Sequence, residues 1–140
     1  MIVVPFEARH IFLLLPQPSQ FEEVASITMD MAKQLEGLTA MTAIHDGEVL
    51  ACAGVLGLHR NRGLAWTYIS ANAGKHFIQL HRLTKAYLDA LQYNRVEMDV
   101  AYGFEQGHRW ARLLGFEVEC PLMRKYFADG GDATRYVRIR

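Results

Sequence analysis

The spacing of apolar residues changes period several times along this chain, and each change predicts an element. Leu64-Ala-Trp-Thr-Tyr-Ile-Ser70 has the β-branched and aromatic content of a strand, and Ala71-Asn-Ala-Gly74 breaks it, with Asn72 as a good N-cap residue. Phe77, Leu80, Leu83, Tyr87, Leu88 and Leu91 then recur at helical spacing, while Lys75, Gln79, Arg82, Lys85, Asp89 and Gln92 fall on the opposite side. Asn94 stops that helix, and Val96, Met98 and Val100 alternate with Glu97 and Asp99 as a second strand. Two strands joined by a helix of this length lie parallel, with a right-handed crossover.

Before this unit, Ile2-Val-Val4 reads as a short strand and Phe6 to Leu15 as a short helix or irregular segment ended by Pro16 and Pro18. Ser19 followed by Glu22 is a capping box opening one long helix, with Phe21, Val24, Ala25, Thr28, Met31, Ala32 and Leu35 on one face and Gly37 as its stop. Leu38 to His45 and Glu48 to Leu58 flank Asp46-Gly47, the strongest short hairpin signal. Asn61-Arg-Gly63 makes a second tight connection, so three consecutive strands form an antiparallel meander. Gly54 and Gly57 inside the middle strand mark a bulge or a close backbone approach. After the crossover, Gln106 to Leu114 is a short helix with Trp110, Leu113 and Leu114 inward and Arg109 and Arg112 outward, closed by Gly115 with Phe116 packed behind it. Val118 to Tyr126 and Thr134 to Arg140 form a terminal hairpin around Asp129-Gly-Gly-Asp132.

Composition narrows the classes. With 140 residues the chain suits one domain, 1–140, and a formal net charge of zero offers no basic surplus for nucleic acid or an anionic membrane. The apolar run Ile11 to Leu15 is stopped by Pro16, too short for a membrane span or a signal peptide core, so a cytoplasmic location is expected. Cys52 sits in an apolar run and Cys120 beside a proline, as buried free thiols of a reducing compartment would. His76 and His81 are not on one helical stripe and no Cys or carboxylate completes a set, so no metal is expected.

The order of elements resembles the GNAT fold, the Gcn5-related N-acetyltransferases, over essentially the whole chain. The most specific piece is Gly107-His-Arg-Trp-Ala-Arg-Leu-Leu-Gly-Phe116, which looks like the GNAT helix that ends in Leu-Gly-Phe. The resemblance implies an α/β (α+β) fold: a mixed, twisted sheet of about six or seven strands, helices on both faces, and a parallel pair that splays apart. It also implies acetyl-CoA as co-substrate, with the thioester along Tyr68, Ser70 and Ala71 at the edge of the fourth strand. The pyrophosphate would lie on backbone amides near Asn72, Gly74, Lys75 and His76, where a helix start favours an anion. The acceptor implied is a small amine or a protein amine.

Departures from the family pattern fall on the chemistry. The phosphate loop usually reads Gln or Arg, two residues, Gly, one residue, Gly or Ala. This chain has Ala71-Asn-Ala-Gly-Lys-His76, with a histidine in place of the second small residue. The family often has a tyrosine, the general acid for the departing thiolate, four residues before the glycine of Leu-Gly-Phe, where this chain has Ala111; Phe104 replaces the usual asparagine. The block from Trp66 to Gly115 also looks like GNAT-like proteins of phages and prophages, some of them associated with virion assembly. Phage structural proteins are then the implied partners, and virion association joins the cytoplasm as an expected location.

Three classes follow: an acyl-CoA N-acyltransferase with degenerate motifs and weak, specialised or lost activity, a non-catalytic assembly or internal virion protein, and a CoA-binding module without turnover. For catalysis, Glu97 and Asp99 could supply a base to an amine, against the reading that they lie on a solvated strand face. His108, in the first turn of a helix whose dipole favours the neutral imidazole, could accept a proton, against the reading of a surface histidine.

Overall fold

A computed structural model describes residues 1–37 and 39–140. Its elements are β1 (Ile2–Pro5), α1 (Ala8–Leu13), α2 (Phe21–Ala25), α3 (Met29–Gln34), β2 (Met41–His45), β3 (Glu48–His59), β4 (Arg62–Ile69), α4 (Phe77–Ala90), β5 (Arg95–Ala101), α5 (Glu105–Leu113), β6 (Glu117–Met123) and β7 (Ala133–Ile139). Short 3₁₀ turns at Pro18–Gln20 and Gly74–His76 precede α2 and α4. The sheet is mixed and seven-stranded among the described residues, in the order β1-β2-β3-β4-β5-β7-β6. Contacts divide the chain into two compact units, Met1–Leu56 with Trp66–Phe77 and Gly57–Ala65 with Ile78–Arg140. No described helix is long and apolar enough to cross a membrane.

In the first unit the Asp46-Gly47 turn has φ 49° and 77°, the positive pair that a type I′ hairpin requires and that Asp-Gly tolerates. It joins β2 and β3 as antiparallel partners, with β1 added to β2 in register Ile2↔Ile44 through Pro5↔Met41. The predicted strand from Leu38 begins at Met41, and Leu38 itself lies outside the described residues. Gly54 is a close approach: a Cβ there would lie 3.0 Å from Ala40 Cα and 3.1 Å from the Trp66 ring. The bulge is elsewhere, between Ala43 and Ile44. Phe6, Ile11, Leu14, Ile27, Ala32, Val49, Cys52 and Tyr68 form the core.

The single long helix predicted from Ser19 to Gly37 is two short ones. The Thr28 hydroxyl accepts the Met31 amide at 3.2 Å and starts α3 afresh, and Ser26 hydroxyl bonds back to the Glu23 carbonyl at 2.7 Å to end α2. Local side-chain bonds of this kind compete with a continuous helix. The predicted Ser19–Glu22 capping box is absent, Gln20 standing at the N-cap of α2, and Phe21 and Met31 are exposed rather than facing the core.

In the second unit, β4 and β5 are parallel as predicted, through Arg62↔Arg95, Gly63↔Val96 and Leu64↔Glu97, where the ladder stops. β7 pairs antiparallel with β5 along its whole length and with β6 on its other side. Leu80 and Leu88 are the buried residues of α4, whereas Leu83, expected inward, is 42% exposed. The stripe of α5 runs through His108, Ala111 and Leu114, which leaves Leu113, also expected inward, beside it and exposed. Gly115, φ 92°, closes the helix in a Schellman motif, its amide bonded to Arg112 O and that of buried Phe116 to Ala111 O, both at 3.0 Å.

Candidate functional site

Within the first unit, the carboxyl end of β4 and the loop after it bring together the expected cofactor residues Tyr68, Ser70, Ala71, Asn72, Gly74, Lys75 and His76. The Ser70 amide points to β3, donating to Leu50 O at 2.8 Å. By strand alternation, Thr67, Ile69 and Ala71 turn their polar groups to the opposite edge. That edge is occupied by the chain itself. Gln17 N–H donates to Ile69 O at 3.0 Å and Ala71 N–H to Leu15 O at 2.8 Å. The Gln20 carboxamide donates to Thr67 O at 2.8 Å and accepts Ile69 N–H at 3.0 Å.

The loop also turns its amides inward. Asn72 N–H donates to Ser70 Oγ, Ala73 N–H to Ser70 O and His76 N–H to Ala73 O, at 3.0, 3.1 and 2.9 Å. Gly74 and Lys75 are exposed at the tip, and a Cβ on Gly74 would meet nothing within 4 Å. Asn72 does not cap a helix as expected. Its side chain donates to Glu48 Oε1 at 2.7 Å, an oxygen that also lies 3.5 Å from Ser70 Oγ, so a carboxylate stands beside the loop. The His76 ring lies 4.3 Å from that of His45, whose Nε2 is 3.3 Å from Asp46 Oδ2. Buried Tyr68 donates its hydroxyl to Glu23 Oε1 at 3.1 Å, and burial, then the Glu23 charge, push its phenol pKa up.

The three catalytic candidates lie in the second unit. Glu97 is not on a solvated face but 1% exposed. Arg62 forks onto both of its oxygens, Arg135 Nη1 is 2.8 Å from Oε1, and Arg95 Nε is 3.5 Å from Oε2. The Arg62 hydrogen bond above all holds its carboxyl below the usual glutamate range. Asp99 receives Arg135 at 2.9 and 3.0 Å and the Tyr126 hydroxyl at 2.5 Å. His108 is buried, with Nε2 2.8 Å from Tyr102 O and Nδ1 2.7 Å from Tyr136 Oη. A carbonyl only accepts, so Nε2 carries the proton and Nδ1 accepts from the tyrosine. Glu97 and Asp99 are thus gathered by one arginine, and both ring nitrogens of His108 are engaged.

Gln20, Glu23 and Glu48 are the polar residues that the pattern did not single out. Pro16 and Pro18 carried part of the signal, because a residue before proline is held extended and so can lie along a strand edge. No cluster of three or more His, Cys, Asp or Glu is placed to hold a metal among the described residues.

No protein-family model matches the sequence, and no curated protein matches it. Solved structures do. Ard1 from Thermoplasma volcanium is similar with a TM-score of 0.75 at 13% identity, over 99% of this chain and 96% of that one. The ribosomal-protein-S18-alanine N-acetyltransferase from Escherichia coli gives 0.68 at 12%, over 99% and 92%. The NatC complex bound to Gag peptide and CoA gives 0.66 at 14%, over 99% and 98%. With the mixed seven-stranded sheet and its one parallel pair among the described residues, these likenesses show that the chain has the fold of the Gcn5-related N-acetyltransferases.

Proposed function

We propose that this chain is a GNAT-fold protein of the phage and prophage type, acyl-CoA N-acyltransferase-like, in which acyl-CoA handling is weak. The observation that carries this reading is the loop: the amides of Asn72, Ala73 and His76, on which a pyrophosphate would rest, and that of Ala71, beside which the thioester arm would lie, are spent inside the chain. Gly74 and Lys75 remain for an anion, and the Glu48 carboxylate beside Asn72 opposes one. The residues present therefore do not fit acyl-CoA in the conformation described. Ala111, in the place of the family's tyrosine, is a fully buried methyl that offers no proton to a thiolate. Glu97, Asp99 and His108, the candidate bases, are engaged in hydrogen bonds of their own unit. An acceptor, a small amine or a protein amine, would then lose its proton to solvent.

Calorimetric and thermal-shift titration with acetyl-CoA, joined to thiol release over a panel of amines, tests this. No saturable shift at micromolar acetyl-CoA is expected, and turnover is expected to be about a hundredfold or more below that of an enzyme with its general acid. Robust turnover of any physiological amine at micromolar acetyl-CoA overturns the reading.

A second reading, a non-catalytic role in virion assembly with phage structural proteins, is favoured by the apolar side chains that the first unit leaves in water. Phe12, Leu13, Leu15 and Phe21 are 50, 61, 55 and 58% exposed, and such exposure on neighbouring segments is common at protein contacts. Co-purification with phage particles, with no melting shift from CoA, would favour it over the first.

A further inference from the structure

The segment from Leu15 to Gln20 lies on β4 as a ligand would. Pro16 bridges Ser70 in antiparallel sense, with Gln17 N–H on Ile69 O and Ala71 N–H on Leu15 O. At Pro18–Gln20 the backbone turns away into a 3₁₀ turn, and there the Gln20 side chain continues the pairing. A primary carboxamide is a peptide group in miniature, and this one both donates to Thr67 O and accepts from Ile69 N–H. The segment is held mainly by these polar contacts. Leu15 and Phe21, which bracket it, are more than half exposed.

Acyl-pantetheine is also an extended chain carrying amide donors and acceptors, and at this edge it would need the same four β4 groups: Thr67 O, Ile69 N–H, Ile69 O and Ala71 N–H. A strand edge takes one partner at a time. We propose that Leu15–Gln20 is an intramolecular strap that fills the acyl-CoA edge of β4 and must leave before an acyl-CoA can bind, with the Gln20 carboxamide as its latch. This rests on the reading that the β4 edge is the acyl-CoA site. Strap and ligand are then competitors, and whatever weakens the strap strengthens the ligand.

The test measures acetyl-CoA affinity by calorimetry for the wild-type chain, Gln20→Ala and Gln17→Pro, with hydrogen exchange at individual amides. Gln17→Pro removes the donor to Ile69 O at a residue whose φ of −65° already suits proline, so it loosens the strap by a second route if Gln20→Ala folds poorly. About tenfold tighter binding is expected in either variant. At acetyl-CoA concentrations far above micromolar, where the wild-type chain also becomes occupied, Gln17 N–H is expected to lose protection while Ile69 and Ala71 keep theirs. Equal affinity in all three proteins, with Gln17 still protected in the complex, overturns the strap and leaves the site reading standing. No binding by any of the three, all folded by circular dichroism, overturns the site reading and the strap with it.

Discussion

The guanidinium of Arg135 clasps Asp99 with two arms, Nε 2.9 Å from Oδ1 and Nη2 3.0 Å from Oδ2. Its remaining nitrogen reaches Glu97, the most deeply buried carboxylate among the described residues. Removing one partner of a buried charge costs more than the pair is worth, because the other charge stays desolvated. Arg135→Ala is expected to destabilise the protein by about 3 kcal/mol in urea unfolding. Arg135→Lys keeps the charge but not the fork and should recover less than half of that loss.

One imidazole, that of His10, and one carboxyl, that of Glu97, set separate acid steps. His10 is buried beneath Thr42, and burial, then the Arg9 charge, lower its pKa; its Nδ1 accepts the Glu7 amide at 3.1 Å and lies 2.8 Å from the Thr42 hydroxyl. A depressed histidine pKa means that the unfolded chain takes up the proton first. The stability that neutral His10 contributes is therefore whole above about pH 6.5 and is lost as pH falls through the lowered value. Glu97, depressed by its hydrogen bond from Arg62 and then by the other guanidinium charges, contributes stability that is whole above about pH 4.3 and lost at more acid pH. Thermal melts from pH 8 to 3 should show two declines, and His10→Gln should flatten the upper one alone.

Two glycines on either side of the same substitution separate packing from propensity. In α5, Gly107→Ala gains about 1 kcal/mol of helix propensity. Its Cβ would lie 2.6 Å from the Phe104 ring and 2.8 Å from Val100 Cγ1, and such overpacking costs about 1–3 kcal/mol, so the net effect is a loss. Gly74→Ala meets nothing within 4 Å and has no positive φ, so a gain of about 0.5 kcal/mol is expected from the stiffer unfolded chain. Parallel melts of the two variants should move in opposite directions.

The thiols should differ in reactivity. Burial pushes the Cys52 pKa up to about 12, and the Thr42 hydroxyl lies 3.8 Å from its sulfur, whereas Cys120 is partly exposed. Iodoacetamide at pH 8 is expected to label Cys120 in the folded protein and Cys52 only after denaturation, as read by peptide mass spectrometry.

What could be read from sequence was local. Asp46-Gly47 and Gly115 answer to backbone conformations that few residues adopt, so the hairpin and the end of α5 stood where expected. The crossover from β4 to β5 followed from a change of period. The helix break at Ser26–Thr28 was missed because two hydroxyls outweighed an unbroken apolar stripe. Glu97 looked like a surface residue because Arg62 and Arg135, which make its burial tolerable, lie far away in sequence. Gln20 carried no signal, since its role depends on the β4 edge that the fold brings to it.

The place of β7 between β5 and β6 has a consequence for synthesis. Neither neighbour has its partner on that side until Ala133–Ile139 has left the ribosome, and Glu97 waits until then for Arg135. β5 therefore emerges with an unpaired edge and a carboxylate lacking one of its counter-charges, and the second unit can close only once β7 has followed. A nascent chain stalled before Ala133 would expose that edge to other strands, which makes it a natural target for chaperones.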